Sequence, residues 1–150
     1  MSSDTCLITR RIEIDMGHRV PNHKSKCRNL HGHRYGIEVG VKGPVQSASN
    51  SSDEGMVMDF GDLKDILRRE IDAKYDHGFM MYEGDPLADT FKQLTGQKII
   101  YVPFIPTAEN FARFLYESLD AEIAALGLSL AFVKIWETPN SVAYYEGGTR

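Results

Sequence analysis

Two runs of alternating residues flank a histidine-rich loop, and they constrain this chain more than any other feature. Residues 5–15 place Ile8, Ile12 and Ile14 on one parity, and residues 34–42 alternate Ile37, Val39 and Val41 with Glu38, Gly40 and Lys42. A period of two marks strands with one face buried and the other toward water. One-sided burial of this kind is typical of antiparallel sheets rather than parallel ones. A loop containing Pro21-Asn22 joins the two runs.

Downstream the period changes. Leu63, Ile66, Leu67, Ile71 and Tyr75 form one apolar stripe, which predicts a helix over 60–75 with Asp59 as its N-cap. A second helix is predicted from about 107 to 126, capped by Thr107 and striped by Phe111, Phe114, Leu115, Leu119 and Ile123, with Gly127 at its C-terminal stop. Residues 130–137 and 141–146 read as a closing pair of strands around a Pro139-Asn140 turn. The Ser- and Asn-rich segment 44–54 reads as a loop. The stretch 78–106, with its scattered glycines and prolines, gives only a short strand at 98–102. The order ββααββ, with antiparallel strands and helices on one face, defines an α+β layer architecture.

The 150 residues fit a single domain spanning 1–150, and 42% hydrophobic with 25% charged residues is ordinary for a globular protein. Apolar runs stay far below the ~20 residues of a membrane helix. Met1-Ser2-Ser3-Asp4-Thr5 lacks the basic and apolar regions of a secretory signal, which points to a cytoplasmic protein with Cys6 and Cys27 reduced. A net charge of −4 argues against nucleic acid as a partner. The average conceals a basic island. Between Asp15 and Glu38 there is no acid, while Arg19, Lys24, Lys26, Arg28, Arg34 and four of the five histidines fall there. Such an island suits a small anion, although a solvated loop has the same composition.

His31-Gly32-His33 puts two imidazoles on one face of a strand. His18 shares the apolar parity of the first strand, so antiparallel pairing brings it to the same side. Three neutral imidazoles with an open fourth position suit a catalytic zinc ion. His23, in the loop, reads as a surface histidine or anion contact. Cys27 lies inside the basic island, where Lys24, Lys26 and Arg28 favour a thiolate able to take a proton beside a Lewis-acidic metal. A fourth structural ligand and an inert thiol are its other readings. Cys6 is assigned to packing. Asp76-His77 has the composition of a proton relay or of a helix-end pair. Glu137, at a strand end, can accept two parallel N–H bonds from a planar heterocycle. Glu109 reads as first-turn helix charge.

Together these residues resemble the 6-pyruvoyltetrahydropterin synthase family, which includes the 6-carboxytetrahydropterin-forming enzymes of queuosine biosynthesis. The resemblance rests on Gly17-His18-Arg19, on Cys27-Arg28-Asn29-Leu30-His31-Gly32-His33, on the block from Gly55 through Asp59 to Lys64, on Asp76-His77, on Thr107-Ala108-Glu109-Asn110 and on Glu137-Thr138. It implies a tunnelling fold (T-fold), assembled into a trimer or a trimer paired into a hexamer, with active sites at subunit contacts. It further implies zinc on His18, His31 and His33, Cys27 as proton acceptor, His77 with Asp76 and Glu137 as a relay, and Glu137 and Thr107 as seats for the pterin ring. The substrate so implied is 7,8-dihydroneopterin triphosphate, with the basic island facing the triphosphate. The three-residue gap between Cys27 and His31 resembles the carboxy branch, whose lyase products are 6-carboxytetrahydropterin, acetaldehyde and triphosphate. The pyruvoyl branch, which eliminates triphosphate, is the near alternative, and a non-enzymatic zinc or pterin-binding module is the distant one. Gly78-Phe79-Met80-Met81 departs from the family pattern after Asp-His.

Overall fold

A computed structural model describes residues 4–147. Met1-Ser2-Ser3, the start of the stretch read as lacking a signal, lies outside the described residues. Both alternating runs become strands, β1 (Thr5–His18) and β2 (His31–Pro44). They reach past the alternation and carry their histidine-bearing ends into the ladder. The antiparallel register pairs Ile12 with Ile37, Ile14 with Tyr35, Met16 with His33 and His18 with His31. No bulge interrupts β1 against β2, so the predicted parity holds to the last pair.

Helix α1 (Phe60–Leu67) begins where Asp59 accepts the Gly61 N–H at 2.6 Å. It continues through a π-turn at Arg68–Asp72 into a last turn at Ala73–Tyr75. The wider π-turn lessens the rotation per residue. This keeps Ile71 and Tyr75 on the buried stripe with Leu63 and Leu67.

The region that periodicity left blank holds three short elements, β3 (Phe79–Tyr82), α2 (Ala88–Lys92) and β4 (Ile99–Val102). β3 runs parallel to β1, and β4 parallel to β3. The sheet therefore extends the expected antiparallel core with a parallel edge. Met80 and Met81, on opposite faces of β3, are both fully buried, so this strand has no polar face to alternate with.

Helix α3 (Ala108–Ala125) is capped by the Thr107 hydroxyl, which accepts the Asn110 N–H at 3.2 Å. It stops at Gly127, whose φ of +77° and whose N–H bond to the Ala124 carbonyl make the αL cap that glycine favours. The strands β5 (Ser129–Thr138) and β6 (Ser141–Tyr145) close a six-stranded sheet ordered β4-β3-β1-β2-β5-β6. Ile14, Ile37, Val39, Val133 and Ile135 of the sheet pack with Leu63, Leu67, Phe111, Leu115 and Leu119 of the helices in one core. No helix among the described residues is long and apolar enough to cross a membrane. Cys6 is exposed rather than packed, because β1 is still solvent-accessible at its first residues.

Candidate metal centre and active site

The β1–β2 register decides the site. His18 and His31 are directly paired, and His33 faces Met16 one step along the same side. The three rings converge, with centroids 4.6 Å apart for His18 and His31, 5.1 Å for His18 and His33, and 4.9 Å for His31 and His33. One ligand nitrogen from each lies within 4.8 Å of the other two.

Backbone carbonyls orient two of the rings. His18 Nδ1 lies 2.6 Å from the Pro106 oxygen, and His31 Nδ1 lies 2.7 Å from the Asn29 oxygen. An imidazole donating from Nδ1 to a carbonyl has its Nε2 lone pair available, a common outer arrangement around metal-binding histidines. His18 Nε2 and His33 Nε2 are buried polar atoms with no hydrogen-bond partner. Buried nitrogens left unsatisfied are costly, and a shared cation would satisfy them. Burial pushes the His18 pKa down to about 4, against the opposing Pro106 bond, and burial also lowers that of His33. Both rings are therefore neutral near pH 7, the form that binds a metal. The donor set fits zinc.

Glu137, at the end of β5, places its carboxylate oxygens 3.9 Å from His18 Nε2 and 3.7 Å from His33 Nε2. Because the rings are neutral, these approaches are not ion pairs. The carboxylate stands beside the face where the Nε2 atoms converge. Tyr35 lies beneath the imidazoles, with ring centroids 5.9 Å from His18 and 5.6 Å from His33, and it stacks edge-on against Phe111 of the core. Its phenol pKa is raised by burial first, then by the nearby Glu137 carboxylate and the Cys27 sulfur. Cys27 sits in a short 3₁₀ turn (Lys26–Arg28) in the β1–β2 loop and is half-buried. Its sulfur is not one of the mutually close ligand atoms of the histidine cluster.

Asp76 and His77 are bonded to each other, His77 Nδ1 lying 2.7 Å from Asp76 Oδ2. Asp76 Oδ1 also accepts the Asp15 N–H at 2.9 Å. His77 adopts a left-handed φ of +61° and is anchored by its N–H to the Asp15 carbonyl. The pair forms a separate cluster with Asp15, apart from the three histidines. It borders a cavity of about 450 Å³ with Gly17, Gly32 and Arg34. Met16 and His33 also border this cavity, but Asp15 and Arg34, the side chains bonded around the dyad, have the parity opposite to His18, His31 and His33, so the dyad lies toward the other side of the sheet. The bare Cα of Gly32 faces that side too. A Cβ there would sit 3.1 Å from the Met16 carbonyl, so the missing side chain suits the close β1–β2 pairing.

Thr107 caps α3 directly after the Pro106 carbonyl that holds His18. His23 accepts the Ser25 N–H and stays in the loop. Glu109 is exposed in the first turn of α3. In the basic island, Arg34 is committed to Glu13 and Asp15, and Arg19 to Asp85. Sequence reasoning missed Tyr35, although it shares the parity of His31 and His33. It also missed Pro106 and Asp85, for which periodicity carries no signal.

A curled sheet with helices on one face and three inward histidines at the joined ends of two strands defines a T-fold protein with a candidate metal site. The profile described as 6-pyruvoyl tetrahydropterin synthase matches residues 7–148, and the chain belongs to that family. It is 39% identical over 135 residues to a Rickettsia felis protein named 6-carboxy-5,6,7,8-tetrahydropterin synthase, covering 88% of this chain and 94% of that one. A Haemophilus influenzae protein of the same name is 34% identical over 142 residues, covering 93% and 97%. Among solved structures, Caenorhabditis elegans 6-pyruvoyl tetrahydropterin synthase superposes with a TM-score of 0.70 at 26% identity, covering 99% of each chain.

Proposed function

We propose that this chain, acting as one domain, is a zinc-dependent carbon–carbon lyase. It converts 7,8-dihydroneopterin triphosphate and one water to 6-carboxy-5,6,7,8-tetrahydropterin, acetaldehyde and triphosphate, a step of queuosine biosynthesis. The observation that carries this reading is the convergence of His18, His31 and His33, with two buried, unpartnered Nε2 atoms facing Glu137. The carboxy-type names of the relatives select the product.

His18, His31 and His33 hold the metal. When bound, zinc supplies Lewis acidity toward the side-chain hydroxyls of the substrate. Cys27 accepts the proton released beside them. Glu137 accepts two N–H bonds from the amino and ring edge of the pterin, which fixes the plane of the ring. The Thr107 hydroxyl, whose oxygen caps α3, keeps its own proton to donate to the ring. Lys24, Lys26 and Arg28 form no ion pair among the described residues, unlike Arg19 and Arg34, and they face the triphosphate.

The Asp76–His77 dyad relays protons to the site of a neighbouring subunit, since it lies toward the opposite side of its own sheet. Such sharing requires a homo-oligomer, which the family resemblance makes trimer-based, with the β4 and β6 edges finding partners.

Product analysis with 7,8-dihydroneopterin triphosphate tests the reading. Acetaldehyde is expected in equal amount to 6-carboxytetrahydropterin. A diketo pterin without acetaldehyde would replace the proposal with triphosphate elimination, the activity in the name of the C. elegans neighbour. Cys27→Ala is expected to lose turnover by about a thousandfold while keeping zinc. Normal turnover by that variant rejects Cys27 as the base.

A further inference from the structure

We infer that Arg19 and Asp85 are positioning residues, a buried ion pair that holds the Cys27 turn against the connection following β3. Arg19 directly follows His18, and its guanidinium is committed to Asp85 and to the Arg28 carbonyl. Its Nε lies 2.6 Å from Asp85 Oδ2 and its Nη2 lies 2.9 Å from Asp85 Oδ1, a bidentate pair. The remaining arm, Nη1, donates to the Arg28 carbonyl at 2.8 Å. One planar group thus joins the residue after Cys27 to the β3–α2 connection.

Both partners are sequestered, with 13% of the Arg19 side chain and none of the Asp85 side chain exposed. Asp85 is the only buried acidic residue among the described residues. Its Oδ1 also accepts the Leu87 N–H at 2.8 Å, and the Asp85 N–H and carbonyl are bonded to Tyr82 and Ala88. Asp85 is therefore fixed on its own side by three further bonds, one to its carboxylate and two to its backbone. The Cys27 turn has few restraints of its own. Ser25 lends its 3₁₀ turn no side-chain cap, and none of its residues is fully buried. Besides the turn's own bonds, the Val20 N–H to the Cys27 carbonyl and the Arg19 bond to the Arg28 carbonyl tie it to the two residues that follow β1. A buried charge pair is a poor source of stability but an effective source of fixed geometry when every lone pair is satisfied. Lysine cannot reproduce the three-way contact, because its ammonium lacks the planar fork.

This inference rests on the proposed role of Cys27 for its catalytic consequence, but not for its structural one. The test uses zinc-loaded Arg19→Lys and Asp85→Asn proteins. Cys27 alkylation by iodoacetamide is measured in the Cys6→Ser background, together with bound zinc, kcat and KM. Zinc should remain at the wild-type ratio. Alkylation of Cys27 should accelerate about tenfold as the turn loosens. With the proposed substrate, kcat should fall about a hundredfold, with KM changed less than about threefold. Arg19→Lys keeps the charge and decides the matter if Asp85→Asn does not fold. Wild-type alkylation rates in a folded Arg19→Lys protein overturn the inference, whatever happens to melting temperature. If Cys27→Ala itself turns over normally, the proton-acceptor reading fails, and the alkylation rates still decide whether the pair positions the turn.

Discussion

At the scale of single residues, burial sets the chemistry. A histidine in water is half protonated near pH 6.5, but His18 is 1% exposed and stays neutral well below that. Neutral imidazoles are ready ligands, and removing one should unmake the centre. For His33→Ala we expect zinc affinity to fall more than about a hundredfold, measured by competition with a chromogenic chelator, with the fold kept. Asp85 shows the opposite balance. Burial alone would raise its pKa, but the Arg19 guanidinium and the Leu87 N–H outweigh burial and lower it. The folded carboxyl then titrates below its unfolded value of about 3.9. Its contribution to stability is present above that value and is lost as pH falls through the folded pKa. Urea unfolding should therefore show Asp85→Asn less stable than wild type at neutral pH, with the gap closing toward pH 2. A gap that persists unchanged in acid would show that the charge is not the cause.

At the scale of elements, the caps and the register do most of the specifying. Asp59 satisfies the Gly61 N–H at the start of α1, and Asp62 places a second negative charge in its first turn. Asp59→Ala should cost about 1 kcal/mol, read as a lower midpoint in denaturant with an unchanged slope. The β1–β2 pairing has a larger consequence. A slip of one residue would turn His31 and His33 to the outer face and leave His18 alone among the apolar side chains. The long run of inward apolar pairs, from Ile8 with Val41 to Ile14 with Tyr35, makes that slip prohibitively costly. The same pairs that build the core thus aim the three converging histidines.

At the scale of the whole molecule, one sheet presents two sets of chemical groups on opposite sides. The histidines and Glu137 occupy one side, and Asp15, Asp76 and His77 the other. If catalysis uses both, a complete site needs two subunits. Cys27→Ala and His77→Ala proteins, each inactive alone, should recover about a quarter of wild-type activity when unfolded and refolded together at equal ratio, the share of contacts pairing two intact contributions. No recovery, with mixed oligomers demonstrated by mass, would place the whole reaction within one chain.

The sequence by itself determined the elements with strong periodicity. Both long strands, both long helices, their caps at Asp59 and Thr107 and the closing hairpin were readable, because burial of one face imprints a period of two or 3.6 on the chain. It also determined that His18, His31 and His33 share a side, since parity survives wherever no bulge intervenes. Tertiary structure alone decided the rest. The β3 and β4 strands have only four residues each and a buried parallel setting, which leaves no alternation to read. The Pro106 carbonyl that orients His18, and the Asp85 carboxylate that receives Arg19, lie 88 and 66 residues away along the chain. Local pattern has no means of recording such contacts. They exist because folding brings distant backbone and charge into a space where water no longer satisfies them.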